Sequence, residues 1–209
     1  MIGYSRYFIE LSYNGEAYSG WQKQLNSNSI QETLEKVISN LLSHETSIVG
    51  AGRTDAGVHA LKMFAHFDAK ISDKKFAELK HLMNNYLPKD IVVKNLFHVI
   101  PEAHARFDAI SRTYEYKISK EKDSFDFPFT FFIKENLDVD LMNIASKILL
   151  DYKDFKSFSK SNTDVKTFFC KIISAKWSLM KNKYTFRIKS DRFLRNMVRA
   201  IVGSLIEIG

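Results

Sequence analysis

Twice along this chain a stretch of alternating apolar residues is followed by an apolar stripe at helical spacing and then by further strands. That alternation restricts the fold more than any other feature. In the first half, Tyr7, Ile9, Leu11 and Tyr13 share one face of a period-2 strand. A turn at Asn14-Gly15 leads into the loop Tyr18-Ser19-Gly20-Trp21-Gln22-Lys23-Gln24. Ser29 and Glu32 have the spacing of a capping box, and Ile30, Leu34, Val37, Ile38 and Leu41 behind them mark one face of a helix. A short strand at 47–50, a strand at 63–68, a helix from Ser72 with Phe76, Leu79, Met83 and Tyr86 on its core side, and a strand at 91–99 follow. Pro88 ends the second helix. In the second half, residues 111–119 alternate, with Tyr114, Tyr116 and Ile118 on one face, and Asp138 caps a helix carrying Leu141, Ala145, Ile148 and Leu149. Strands at 172–179 and 184–190 precede a last helix over 192–208, on which Phe193, Met197, Ala200, Ile201, Leu205 and Ile208 share a face. Each half reads roughly as β-α-β-β-α-β. The boundary falls near residues 101–104 with no Gly/Ser linker, so the expected architecture is α+β, one continuous mainly antiparallel sheet with helices packed on one side.

Composition narrows the class. A chain of 209 residues with 45% apolar residues can bury a sizeable core, and only 8 glycines and 3 prolines exclude low-complexity and linker-dominated chains. The lone cysteine, Cys170, excludes an intramolecular disulfide framework and a cysteine-rich zinc site. The amino terminus, Met1-Ile2-Gly3-Tyr4-Ser5-Arg6, lacks the basic-then-apolar profile of a signal peptide. No apolar run approaches the ~18 residues of a membrane span, so no membrane association is expected and a cytoplasmic protein is. The charge sum is 31 − 24 = +7, which suits a polyanionic partner, most simply nucleic acid.

The most unusual stretch is Gly50-Ala51-Gly52-Arg53-Thr54-Asp55-Ala56-Gly57-Val58-His59-Ala60. Arg53 and Asp55, two apart on an extended loop, point the same way and can pair, which would hold the acid ionised. An ionised carboxylate in a cleft is a nucleophile or a base, but a glycine-rich turn with a structural ion pair reads the same way locally. Gly50-x-Gly52 lacks the third glycine of a dinucleotide fingerprint, and Asp55 with His59 supplies two metal ligands without a third. Positive charge gathers between residues 181 and 199, in Lys181, Lys183, Arg187, Lys189, Arg192, Arg195 and Arg199, against the single acid Asp191. On a strand Arg187 and Lys189 lie opposite Tyr184, Phe186 and Ile188. On a helix Arg192, Arg195 and Arg199 at i, i+3, i+7 form one stripe. That arrangement is either a solvated face or a phosphate track. Tyr114 and Tyr116 are core aromatics by default, and either could offer a ring to a base.

These residues resemble a family. Gly52-Arg53-Thr54-Asp55-Ala56-Gly57-Val58-His59 is similar to the catalytic signature of the tRNA pseudouridine synthase A family, enzymes of the anticodon stem-loop at positions 38–40. Tyr13-Asn14-Gly15 with Tyr18–Gln24 resembles its first motif. His104-Ala105-Arg106-Phe107-Asp108-Ala109 with Arg112-Thr113-Tyr114-Glu115-Tyr116 resembles its central motif. Phe193-Leu194-Arg195-Asn196-Met197-Val198-Arg199 with Val202-Gly203-Ser204-Leu205 resembles a late one.

The resemblance implies two ferredoxin-like α/β halves sharing a sheet, with a basic cleft between them: residues 1–103 carrying the catalytic loop, and 104–209 carrying the base-contacting tyrosine and the basic strand and helix. It implies Asp55 as the catalytic carboxylate, Arg53 as the residue that flips and positions the uridine, Tyr114 as the contact to the flipped base and Arg199 as a second active-site arginine. Lys183, Arg187, Lys189, Arg192 and Arg195 are then candidates for binding RNA. The implied partner is tRNA, the implied assembly a homodimer, and no metal or organic cofactor is implied. The resemblance also implies that relatives run several dozen residues past the late motif, adding helix and a closing strand, so that this end of the usual family domain is expected to be missing here. The rival readings are an RNA-binding protein of the same fold without turnover, and a metal-dependent phosphoesterase using Asp55 and His59.

Overall fold

The computed structural model describes residues 3–161 and 165–209. The first two residues of the amino-terminal stretch lie outside that description. The chain divides into two compact units, Met1–Ala109 and Ile110–Gly209, a little beyond the boundary expected from the sequence. No described helix is long and apolar enough to cross a membrane.

The first unit runs β1 (Ser5–Tyr13), α1 (Ile30–Leu42), β2 (Val49–Gly50), β3 (Ala60–Ala69), α2 (Asp73–Tyr86), β4 (Ile91–Val99). Its antiparallel sheet has the order β2-β3-β1-β4, with β1 central, the β-α-β-β-α-β pattern of a ferredoxin-like unit. Tyr7, Ile9, Leu11 and Tyr13 are buried on alternate positions of β1, as a half-covered antiparallel strand requires. Ser29 caps α1 by accepting the Glu32 N–H, and Ile30, Leu34 and Ile38 deliver that helix to the core. Ser72 caps α2 in the same way through Lys75, and Leu79 and Met83 are buried. Tyr86 was expected on the core side but is 68% exposed. It lies on the last turn of α2, where the chain already leaves the sheet for Leu87 and Pro88.

The second unit runs β5 (Arg112–Ser119), β6 (Phe131–Phe132), α3 (Val139–Ile148), β7 (Ile172–Met180), β8 (Lys183–Ser190), α4 (Met197–Ile208). Its sheet has the order β6-β5-β8-β7, antiparallel apart from the short β5–β6 pair. The ladders among the described residues are thus two four-stranded sheets, one in each half of an α+β fold. Lys181 and Asn182 join β7 to β8 in left-handed conformations, φ 47° and 62°, as a two-residue hairpin turn demands. Trp177, Tyr184, Phe186 and Ile188 meet Met142, Met197, Ile201, Val202 and Leu205 in a core of their own.

Two expectations fail in this unit. The core side of α3 is Met142 and Ser146 with Ala145 and Leu149 packed beside them, whereas Leu141 and Ile148 are 43% and 50% exposed. The final helix starts at Met197, not at residue 192. Asn196 takes φ 68°, which a right-handed helix cannot contain, and the preceding turn is closed by Met197 N–H donating to Leu194 O.

Candidate active site

Residues 51–59 form the connection between β2 and β3, opened by Ala51 N–H donating to Phe64 O at 2.8 Å. A connection of that length does not hold its own shape, and here the loop after β1 holds it. Trp21 N–H donates to Thr54 O at 3.1 Å, Gly57 N–H donates to Tyr18 O at 3.2 Å, and Gly15 N–H donates to His59 Nδ1 at 3.0 Å. Tyr13 Oη meets Thr54 Oγ1 at 2.9 Å, beside an irregularity in the β1–β3 register between Leu11 and Tyr13. The supporting loop is anchored in turn. Tyr18 is buried and donates its hydroxyl to Asp90 at 2.8 Å, and Asn14 N–H donates to Asp90 O. Burial first, and the Asp90 carboxylate second, push the Tyr18 hydroxyl far above its ordinary pKa, so it stays a donor.

Contact this close needs bare backbone. A Cβ on Gly15 would stand 2.1 Å from Val58 O, and one on Gly20 would stand 2.4 Å from Thr54 O. Gly20 also has φ +98°, which side chains rarely adopt. The glycines of the first sequence motif are therefore what seats the second motif.

Asp55 is half-buried in this clamped loop, and its carbonyl accepts Val58 N–H in the turn that follows it. Arg53 is exposed. The expected Arg53–Asp55 ion pair is not formed among the described residues. Arg53 instead borders a hollow of about 160 Å³ lined also by Trp21, Gln31, Gly50, Gly52 and Arg106. His59 accepts a backbone hydrogen bond, and no group of three or more His, Cys, Asp or Glu among the described residues is placed to hold a metal.

In the second unit, Tyr114 lies on β5 opposite Ile188 with its ring edge-on to Phe193 at 5.1 Å, half-buried against the core. Tyr116, two residues along on the same face, has its hydroxyl pKa raised by burial, and the Arg199 charge acts against that rise. Lys183, Arg187 and Lys189 share the outward face of β8, alternating with buried Tyr184, Phe186 and Ile188. Lys183 is ion-paired with Asp126, and Arg187 lies 3.9 Å from Glu115. Arg192 and Arg195 precede α4, so the expected i, i+3, i+7 stripe with Arg199 does not exist. Burial pushes the Cys170 thiol up to about 11, which leaves it inert at neutral pH.

Sequence reasoning takes His66 and His104 as scattered histidines, on the surface or satisfied in the core, and does not bring them together. His66, central on β3, is only 4% exposed, and its Nδ1 accepts Ala105 N–H at 3.2 Å. His104 Nδ1 accepts the N–H groups of Arg106 and Phe107, and Asp108 accepts His104 N–H at 2.7 Å. Arg6 forms a two-point pair with Asp68 and reaches Ala103 O. A histidine among the apolar residues Met63, Phe64, Ala65 and Phe67 was the available signal. Its partner is distant in sequence, so the signal named no purpose.

Burial, then the charges of Arg6 and His104, push the His66 pKa down to about 4, with Asp68 and Asp108 acting weakly the other way. In the unfolded chain the ring titrates near ~6.5. The unfolded state therefore binds a proton that the native state refuses. Stability is complete above pH ~6.5 and declines as pH falls towards 4, by up to about 3 kcal/mol. Urea unfolding of the wild type and His66→Gln across pH 7.5 to 4.5 should show that decline in the wild type and a flatter curve in the variant. Parallel curves would remove His66 as the cause.

The model of a tRNA pseudouridine synthase family matches residues 11–108 and 145–209. A "tRNA pseudouridine synthase A" of Parabacteroides distasonis is 50% identical over 204 residues, covering 98% of this chain and 81% of that protein. One of Bacteroides fragilis is 50% identical over 206 residues with the same coverage. A "tRNA pseudouridine synthase A 2" of Clostridium tetani is 39% identical over 207 residues, covering 96% and 82%. The matched residues include the clamped loop at 51–59, the loop that seats it and the turn pinned by His66, and this chain belongs to the tRNA pseudouridine synthase family.

Proposed function

We propose that this chain isomerises uridine to pseudouridine at positions 38, 39 and 40 of the tRNA anticodon stem-loop, with Asp55 as the reacting carboxylate. The observation that carries the reading is the placement of Asp55. It sits in the loop whose sequence resembles the family's catalytic signature, and backbone hydrogen bonds clamp that loop from both sides of the acid, at Thr54 and at Gly57. A group that must meet one sugar carbon gains from such fixation.

The reaction breaks C1′–N1 and forms C1′–C5 within one nucleotide. N1 gains a proton and C5 loses one, so atoms balance without a co-substrate. Asp55 serves either by attacking C1′ or by taking the 2′ proton to leave a glycal. The base must first leave its stack, at a cost of a few kcal/mol. Arg53 holds the vacated position, and Tyr114 returns about 1–3 kcal/mol by contact with the everted base. Arg199 supplies a second positive charge to the site in this reading. Lys183, Arg187, Lys189, Arg192 and Arg195 take phosphates, so binding falls with salt and discriminates weakly between sequences. The homodimer and the cytoplasmic setting rest on the family resemblance and accompany this reading.

Incubation with unmodified tRNA labelled with tritium at uracil C5 should release tritium, and mapping of the product should place pseudouridine at 38, 39 or 40. RNA bound without tritium release, or pseudouridine confined to other positions, would overturn the reading.

A further inference from the structure

We infer that the helix-free face of the first unit's sheet is a stacking surface for unpaired bases of the RNA, carried by a row of aromatic rings that ends at Phe97 on one side and at Phe107 on the other. The inference rests on the chain acting on RNA, and it adds to that reading the residues that take bases other than the target.

Tyr7, Ile9, Leu11 and Tyr13 turn one face of β1 into the core beneath the helices, so the residues between them turn the other way. Phe8 lies opposite His66 on β3 and opposite Phe97 on β4, which puts all three on the face away from α1 and α2. Their rings follow one another. The Phe97 and Phe8 centroids are 6.0 Å apart, Phe8 and His66 5.8 Å, His66 and His104 4.6 Å, and His104 and Phe107 4.2 Å. The row thus crosses from β4 over β1 and β3 to the turn that follows β4. Cross-strand aromatic pairs also stabilise a sheet, but a row that served only the sheet would cover its ends. Here Phe97 is 38% exposed and Phe107 76%, so both ends leave apolar surface to solvent.

Chemistry selects the occupant. Arg6 pairs with Asp68 and Lys62 with Glu10, so these four charges cancel and the row presents rings rather than a phosphate track. The polyanion that a chain of net charge +7 attracts carries flat bases as well as phosphates, and every base has a π-face that an aromatic ring can meet. An open four-stranded sheet is also the platform on which a common class of RNA-binding domain stacks two or three bases, and the order β2-β3-β1-β4 leaves such a sheet open here. Arg106 Cζ lies 6.0 Å from the Phe107 ring centroid and puts a positive charge beside the outermost ring, which complements an anionic strand. The turn that carries Phe107 is held from both strands and from within. Arg6 donates to Ala103 O, His66 accepts Ala105 N–H, and Asp108 accepts His104 N–H. The turn is therefore set before RNA arrives, and little conformational freedom is lost on binding.

The test uses the full chain and an anticodon stem-loop RNA, as a set carrying a single 2-aminopurine at each loop position in turn. Phe107→Leu should weaken binding about tenfold, and Phe97→Leu severalfold, with the slope of log K against log[salt] unchanged because no phosphate contact is lost. Phe107→Tyr keeps a ring of the same shape and should bind as the wild type does. One 2-aminopurine should be quenched in complex with the wild type and with Phe107→Tyr, and stay bright with Phe107→Leu. Both positions are exposed, so the leucine variants should melt within a few degrees of the wild type. Leucine variants that bind within about twofold of the wild type would overturn the inference, as would a flattened salt slope or a loss that Phe107→Tyr shares. So would a wild-type dimer that Phe107→Leu dissociates with RNA affinity intact, since the face would then serve a second copy of the chain. Tritium release by the wild type separates the two readings. Release with an unaltered Phe107→Leu leaves the synthase standing without the stacking surface, and a ring-dependent base contact without release leaves the stacking surface standing without the synthase.

Discussion

Asp55→Asn is expected to lower pseudouridine formation by at least about 10⁴-fold while leaving RNA binding within about threefold of the wild type. The substitution exchanges one carboxylate oxygen for an amide nitrogen of nearly the same size. It removes the charge, the nucleophile and the base together and leaves the shape. The backbone contacts that clamp the loop do not depend on which of the two side chains stands at this position. Trp21 to Thr54, Gly57 to Tyr18 and Val58 to Asp55 are all backbone bonds, and the Tyr13–Thr54 pair belongs to the neighbouring residue. The loop should therefore keep its conformation, and the melting temperature should move by no more than a few degrees. A structural role for Asp55 predicts a different pattern. Loss of a carboxylate that held the fold would lower stability and activity together, and binding with them. Tritium release, a thermal melt and an RNA titration on the same preparation distinguish the patterns. Residual turnover within tenfold of the wild type would exclude Asp55 as the reacting group.

The parts of this molecule that were legible in the sequence are those governed by near neighbours. Ser29, Ser72 and Asp138 announce helix starts because each hydroxyl or carboxylate accepts an N–H three residues on, a geometry contained within four residues. The alternation along β1 and β8 is equally local. What failed depends on distant partners. Phe193 has helical spacing with Met197, yet it packs edge-on to Tyr114, and the left-handed Asn196 separates the two. Leu141 and Ile148 have the period of a buried face, but periodicity gives the direction of a stripe and not how far the sheet beneath extends. The Arg53–Asp55 pair is expected from spacing alone, but the fold leaves Arg53 exposed and Asp55 half-buried, and spacing does not set how deeply each side chain sits. The bond from Ala105 N–H to His66 Nδ1 joins residues 39 apart, and no local pattern announces it.

Gly20→Ala should be as damaging to catalysis as a change in the loop it supports. Two penalties act at this position. At φ +98° any side chain is strained, and the added methyl would stand 2.4 Å from Thr54 O and 3.0 Å from the Asp55 carbonyl carbon. Both atoms are backbone, so neither can swing aside as a side-chain tip would. Either the 14–21 loop or the 51–59 loop must move, and the Trp21–Thr54 hydrogen bond lies between them. The strain and the lost contact together should cost about 2–4 kcal/mol of stability. The displacement of Asp55 should cost more in rate than in binding. A shift of about 1 Å at a reacting group is enough for a hundredfold loss, so kcat should fall at least about 100-fold while the RNA dissociation constant changes severalfold. Gly203→Ala is the matched control, a methyl added on α4 where no atom lies within 4 Å, and it should raise helix stability by up to about 1 kcal/mol without slowing turnover. Wild-type kcat in a folded Gly20→Ala would show that the position of the 51–59 loop does not depend on its backbone contact with the loop after β1.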